Sequence, residues 1–174
     1  MMVLPKNDEP IHTAARANDV AEVRRQLEQG ADVNVRNEKK RTALHLAAYW
    51  GWSSACQVLI AAGADLEARD ESGETPLHAT ARSGVVQTMR ILLRAGADPD
   101  APNGDGNTPL HITAVWGRAD AGVRLIKFGA DLSITNNQGS TPLEMAKEHD
   151  ARKGTDVSDR YQTAAEERDS QTDS

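Results

Sequence analysis

The chain of 174 residues contains one cysteine, Cys56, and only six aromatic residues. A single thiol excludes an intrachain disulfide and fits a reducing compartment, cytoplasmic or nuclear. With aromatics at 3%, a core has to be assembled from Leu, Val, Ile and Ala. No apolar run approaches the roughly 20 residues that cross a bilayer, so no membrane insertion is expected. The start, Met1-Met2-Val3-Leu4-Pro5-Lys6, lacks the basic region and longer apolar stretch of a secretory signal. A net charge of −6 argues against nucleic acid as a partner, because a phosphate backbone wants a basic face. Locally, Arg36, Lys39, Lys40 and Arg41 form a short basic run that suits a solvated loop or a docking patch.

What the chain does have is repetition. Glu9-Pro10-Ile11-His12, Thr42-Ala43-Leu44-His45, Thr75-Pro76-Leu77-His78 and Thr108-Pro109-Leu110-His111 place a histidine every 33 residues. Gly30-Ala31-Asp32, Gly63-Ala64-Asp65, Gly96-Ala97-Asp98 and Gly129-Ala130-Asp131 keep the same interval. A fixed period of this length means one supersecondary unit copied and stacked. The stretch 70–102 shows its physics. Asp70-Glu71-Ser72-Gly73 reads as a turn, with Gly73 supplying a positive φ. Thr75 is a helix N-cap and Pro76 fits the first helical position. Gly84 ends that helix, Val86, Met89, Leu92 and Leu93 space out an apolar stripe on a second, and Gly96 ends it in turn. Asn18 stands where the other copies have Gly51, Gly84 and Gly117, and asparagine is the next-best residue for a left-handed cap.

From about Pro5 to Asp150 the period and the Thr-Pro-Leu-His wording resemble the ankyrin repeat. The resemblance implies an all-α solenoid of helix pairs with short β-hairpin fingers, four full repeats and a partial fifth. We place a leader at 1–4, repeats at 5–36, 37–69, 70–102 and 103–135, and a partial repeat at 136–150 with Glu144 in the histidine position. The polar, acidic segment 151–174 reads as a disordered tail, although Val157, Tyr161 and Ala164 share one helical face that would suit a short cap. Three residues depart from the pattern. Lys40 replaces a turn glycine and Ala43 replaces the helix-starting proline. Gly122 stands where Val23, Cys56 and Met89 stand elsewhere, so the C-terminal end is expected to open first.

Catalysis finds no footing. Equivalent histidines on packed helices lie roughly 8–10 Å apart, too far to share a zinc ion that needs nitrogens at about 2.0–2.1 Å. Bonding to nearby loop backbone is the better role for His12, His45, His78 and His111. His149 is expected to be exposed, and Cys56 to be a buried, inert thiol. No serine lies in a nucleophile elbow and no Gly-Lys-Ser loop is present. No catalytic residue, metal or cofactor is expected.

In proteins of this family, finger tips and inner helices line a groove that binds other proteins. The resemblance puts Arg16-Ala17, Tyr49-Trp50, Arg82-Ser83 and Val115-Trp116 on that groove, so three of the six aromatics fall on eight positions. Tyr49, Trp50 and Trp116 are therefore the candidate anchors, since large, stiff aromatics dominate interface energetics. Trp52, just past the turn, suits either the groove or the packing beneath it. Arg41, Arg82, Glu38, Lys39, Arg69, Glu74 and Asp105 complete the surface, basic near the second repeat and more acidic beyond. These features imply a non-enzymatic adaptor, scaffold or stoichiometric inhibitor, monomeric on its own, that takes a partner protein or peptide. The alternative is a regulatory or targeting fragment of a larger multidomain protein. Asn34 matches a position that relatives can carry hydroxylated, but Gln26 replaces the leucine expected upstream, and a structural asparagine is the default.

Overall fold

The structure is a computed structural model and describes residues 8–172; the leader and the first residues assigned to repeat one lie outside them. Ten helices are present among these residues, and no strand. They alternate between two layers. The inner layer is α1 (Pro10–Ala17), α3 (Ala43–Trp50), α5 (Pro76–Ser83), α7 (Pro109–Val115) and α9 (Pro142–Lys153). The outer layer is α2 (Val20–Glu28), α4 (Ser53–Ala61), α6 (Val86–Arg94), α8 (Ala119–Lys127) and α10 (Val157–Thr172). Each helix packs on its own pair-mate and on the same-layer helices before and after it. The core is a ladder through the stack: Ile11, Leu44, Leu77 and Leu110 recur in the inner layer, and Leu59, Leu92 and Leu125 in the outer, all fully buried.

The repeated Thr and His residues start the inner helices. The Thr42 amide donates to His45 Nδ1 at 3.1 Å, and the far ring nitrogen donates to the Glu74 carbonyl of the next finger at 3.0 Å. His78 does the same with Thr75 and Asn107, and His111 with Thr108 and Ser140. One ring thus satisfies a helix N-terminus and ties two repeats together. In the fifth pair, Glu144 replaces the histidine and accepts from the Thr141 amide at 2.8 Å, which keeps the cap but loses the tie to a following repeat.

The fingers are reverse turns rather than hairpins with paired strands. Each closes on itself, as where the Asp70 amide donates to the Glu74 carbonyl at 2.9 Å, and reaches its neighbour by one backbone bond. Those lateral bonds run from Glu71 to Lys39, Gly104 to Ser72 and Asn137 to Asp105. Between the ends of α2, α4 and α6 and the fingers that follow, Asn34 Oδ1 accepts from the Asp65 amide at 2.8 Å, and Glu67 and Asp100 repeat the bond with Asp98 and Asp131. Asn34 is therefore a structural link. Asn18 adopts φ 56° and caps α1 as its glycine counterparts cap theirs.

Lys40 takes φ 54° in the position where Gly73 and Gly106 both take 75°. The finger keeps its turn and the side chain carries the strain, since a left-handed L-residue costs about 1–2 kcal/mol. Allowing for the freer unfolded chain, Lys40→Gly should gain about 0.5–1 kcal/mol. Urea denaturation measures it, and an unchanged or lower midpoint would contradict the strain.

Three expectations fail at the C-terminus. The segment read as a disordered tail folds as α10, and the fifth pair, α9 with α10, is complete. Gly122 does not leave a hole either. A Cβ built there would lie 2.2 Å from the Tyr161 ring, so the missing side chain is the socket for a tyrosine from α10. Val157, Tyr161 and Ala164 are all buried, and Tyr161 Oη donates to Thr113 Oγ1 at 2.6 Å. Asp150 starts the helix: its carboxylate accepts from the Val157 and Ser158 amides at 2.9 and 2.8 Å. Burial raises its carboxyl pKa, but those bonds and that of Thr155 outweigh burial and bring it to about 2. His149, expected in solvent, is instead half-buried against Gly117 with Nδ1 3.0 Å from Thr155 Oγ1.

Candidate partner-binding face

The last turns of α1, α3 and α5 and the fingers beside them enclose an open cavity of 310 Å³. Its apolar wall is Leu46, Tyr49, Trp50 and Ala79; its charged wall is Arg16, Arg41 and Arg82 with the carboxylates of Asp70 and Glu74. Trp50 is 52% exposed and Tyr49 44%, an unusual exposure for such large side chains. Their rings meet edge to face with centroids 5.6 Å apart, so each limits the other's rotation. Trp116, 47% exposed, lies outside the cavity but continues its surface, with the Arg82 guanidinium 5.5 Å above its ring. Trp52 stands apart: half-buried, it donates its indole N–H to the Arg16 carbonyl at 2.9 Å and holds α1 to the next repeat.

The three arginines each hold a carboxylate. Arg16 pairs with Asp8, Arg82 with Glu74, and Arg41 with Asp70 at 3.1 Å. Asp8–Arg16 and Glu74–Arg82 share one spacing, eight residues apart, two repeats from each other. In the repeat between them Arg41 takes the acidic position and Tyr49 the basic one, so Arg41 turns to the following finger instead. Burial pushes the Asp70 carboxyl up, yet Arg41 and the Ser72 and Glu74 amides outweigh it and hold the pKa below the ordinary value.

The remaining candidates divide. Glu38, Lys39 and Asp105 are exposed on the fingers. Arg69 is committed to backbone, donating to the carbonyls of Gly73, at 3.2 Å, and Pro102. Glu74 was expected on an acidic rim; it is 6% exposed and its charge lies beneath Arg82. Asp8 and Asp70 were missed as partners of the groove arginines; the eight-residue spacing shared with Glu74 and Arg82 could have found Asp8, whereas Asp70 meets Arg41 across 29 residues and has no local signal.

Chemistry elsewhere is muted. Burial holds His45 and His78 down to about 4, and both ring nitrogens of each are already bonded. Cys56 is fully buried, which pushes its thiol up to about 12. Among the described residues no group of three His, Cys, Asp or Glu side chains is placed to hold a metal, and no helix is long and apolar enough to cross a membrane.

Comparison with known proteins matches residues 11–103 to a family model of ankyrin repeats in three copies, and residues 92–146 to another for ankyrin repeats in many copies. The mitochondrial disaggregase of Bos taurus is 51% identical over 55 residues, which make up 32% of this chain and 8% of that protein.

Proposed function

The chain belongs to the ankyrin-repeat family, a family of protein-interaction modules, and on that premise we propose that it acts as a non-enzymatic adaptor, scaffold or stoichiometric inhibitor whose groove seats a partner protein. The observation that carries this is the placement of Tyr49, Trp50 and Trp116, about half exposed along one edge of the inner layer. A buried core that is already continuous without them gives no packing reason for three large rings in solvent. The mechanism is preorganisation. Rigid inner helices, tied by histidine and finger bonds, present rings that lose little freedom on binding. Around them Arg41, Arg82, Lys39, Glu38 and Asp105 set charge register, which governs specificity and encounter more than affinity.

The test is a crosslinking pull-down from source lysate with wild type and Trp50→Ala/Trp116→Ala, after circular dichroism shows both folded. Loss of a prominent partner with the double variant is expected, since each aromatic anchor contributes about 2 kcal/mol or more. Persistence of that partner would make the rings packing residues and move the working surface elsewhere. A second reading, in which the repeats regulate or target a longer chain, draws on the 55-residue match to a protein of which this chain covers 8%. An immunoblot for native mass in the source separates the two.

A further inference from the structure

The groove's charges cancel in number but not in position. Asp8, Asp70 and Glu74 have side chains only 2%, 2% and 8% exposed, whereas Arg16, Arg41 and Arg82 are 21%, 39% and 35% exposed. The carboxylates therefore form a floor and the guanidinium groups form the surface above it. Each guanidinium has five N–H donors, and its carboxylate takes only some of them. The floor also fixes each fork in place, so an incoming acid meets donors that are already oriented. Between Arg16 and Arg82 the same cavity presents Trp50 and Tyr49.

We infer that the groove of repeats one to three selects an acidic segment of its partner, an Asp or Glu carboxylate held among Arg16, Arg41 and Arg82 with an adjacent apolar or aromatic side chain against Trp50. This rests on the groove being the partner-binding face and adds the chemistry of what enters it. A chain of net charge −6 thus presents a recess whose exposed charge is guanidinium, as the basic character expected near the second repeat implies. Arg82 extends the recess to Trp116, so acidic residues spaced along an extended segment would find a second aromatic beyond the first.

A random-peptide phage library panned on the full chain tests this, followed by fluorescence polarisation with the selected peptides. Selected peptides should be enriched in Asp and Glu next to an apolar or aromatic residue. Changing those acids to amides should weaken binding about 10- to 100-fold, the range for charge-assisted hydrogen bonds. On the protein, deleting an arginine alone would leave a buried carboxylate unpaired and threaten the fold. The variant of choice is Arg16→Gln/Asp8→Asn/Arg82→Gln/Glu74→Gln, which removes both pairs and leaves net charge unchanged. It should lose a similar factor while keeping its helicity. If it does not fold, the amide-substituted peptides decide the question with the unaltered protein. Peptides without acidic enrichment that still depend on Trp50 would overturn the acidic assignment and leave the groove reading standing. No selected peptide, or peptides indifferent to Trp50→Ala, would overturn the inference, and the lysate comparison would then judge the groove separately.

Discussion

Between pH 6.5 and pH 4 the protein is expected to lose about 6 kcal/mol of stability through two histidines alone. His45 and His78 are held near pKa 4 by burial, against 6.5 for the free side chain. Across that window the unfolded chain binds protons that the folded chain refuses, so stability falls as pH falls. The full contribution is present above 6.5 and is spent once pH passes below 4. A shift of this size corresponds to about 3 kcal/mol for each residue. His12 and His111 are shifted in the same direction, also by burial first, and add to the slope. The structural cause is specific: each ring accepts an amide bond at Nδ1, and protonating that nitrogen breaks the cap of an inner helix. The Asp150 carboxylate acts in a different window. Asp150 sits at about 2 against 3.8 for the free group, so its loss falls below pH 4. Urea midpoints measured from pH 7.5 down to 4 check this. His78→Gln should be less stable at pH 7 and show about half the acid slope; an unchanged slope would remove the histidines from the explanation.

How much of this was legible depended on how far each cause lay along the chain. Thr75, Pro76, His78, Gly84 and Gly96 announce a helix pair because capping and left-handed turns are decided within a few residues. The period then supplied the stacking, since every copy needs the same neighbour. Asn18 and Lys40 were legible for the same reason, as residues asked to adopt a glycine conformation. The groove was legible as positions but not as charge. Arg16 and Arg82 could be placed on the inner face, yet only the fold shows that Asp8 and Glu74 lie beneath them with the acid hidden. Gly122 was the clearest failure. In isolation a glycine inside an outer helix reads as a defect, because its complement stands at Tyr161 in a segment whose composition reads as disordered. α10 has a mostly polar surface, with Val157, Tyr161 and Ala164 as its buried anchors. They show as one helical face in the sequence, but three apolar residues do not outweigh a polar composition that reads as disordered.

Removing that tyrosine should detach the last helix. Tyr161 is fully buried against Gly122, and deleting a large buried ring costs about 3–5 kcal/mol. In a stack where each unit contacts only its neighbours, a loss at the end is not shared by the rest. The ion pairs that also attach it are weaker: Arg160 with Asp120 and Lys127 with Glu167 are exposed, each typically worth under about 1 kcal/mol. A 16-residue polar helix released into water is near the limit of independent stability, so undocking and melting should coincide. Tyr161→Ala is therefore expected to lower helicity, to open limited-proteolysis sites after about residue 150, and to leave the first three helix pairs protected. Tyr161→Phe separates the ring from its hydroxyl and should cost only about 1 kcal/mol, the bond to Thr113. Gly122→Ala attacks the same contact from the other side, since its new methyl would meet the Tyr161 ring 2.2 Å away. The double variant Gly122→Ala/Tyr161→Ala should then be less damaged than the sum of the two, because the methyl enters space the ring has left. Simple additivity would mean that the glycine and the tyrosine are not one lock, and that α10 is held by its cap at Asp150 and its edges instead.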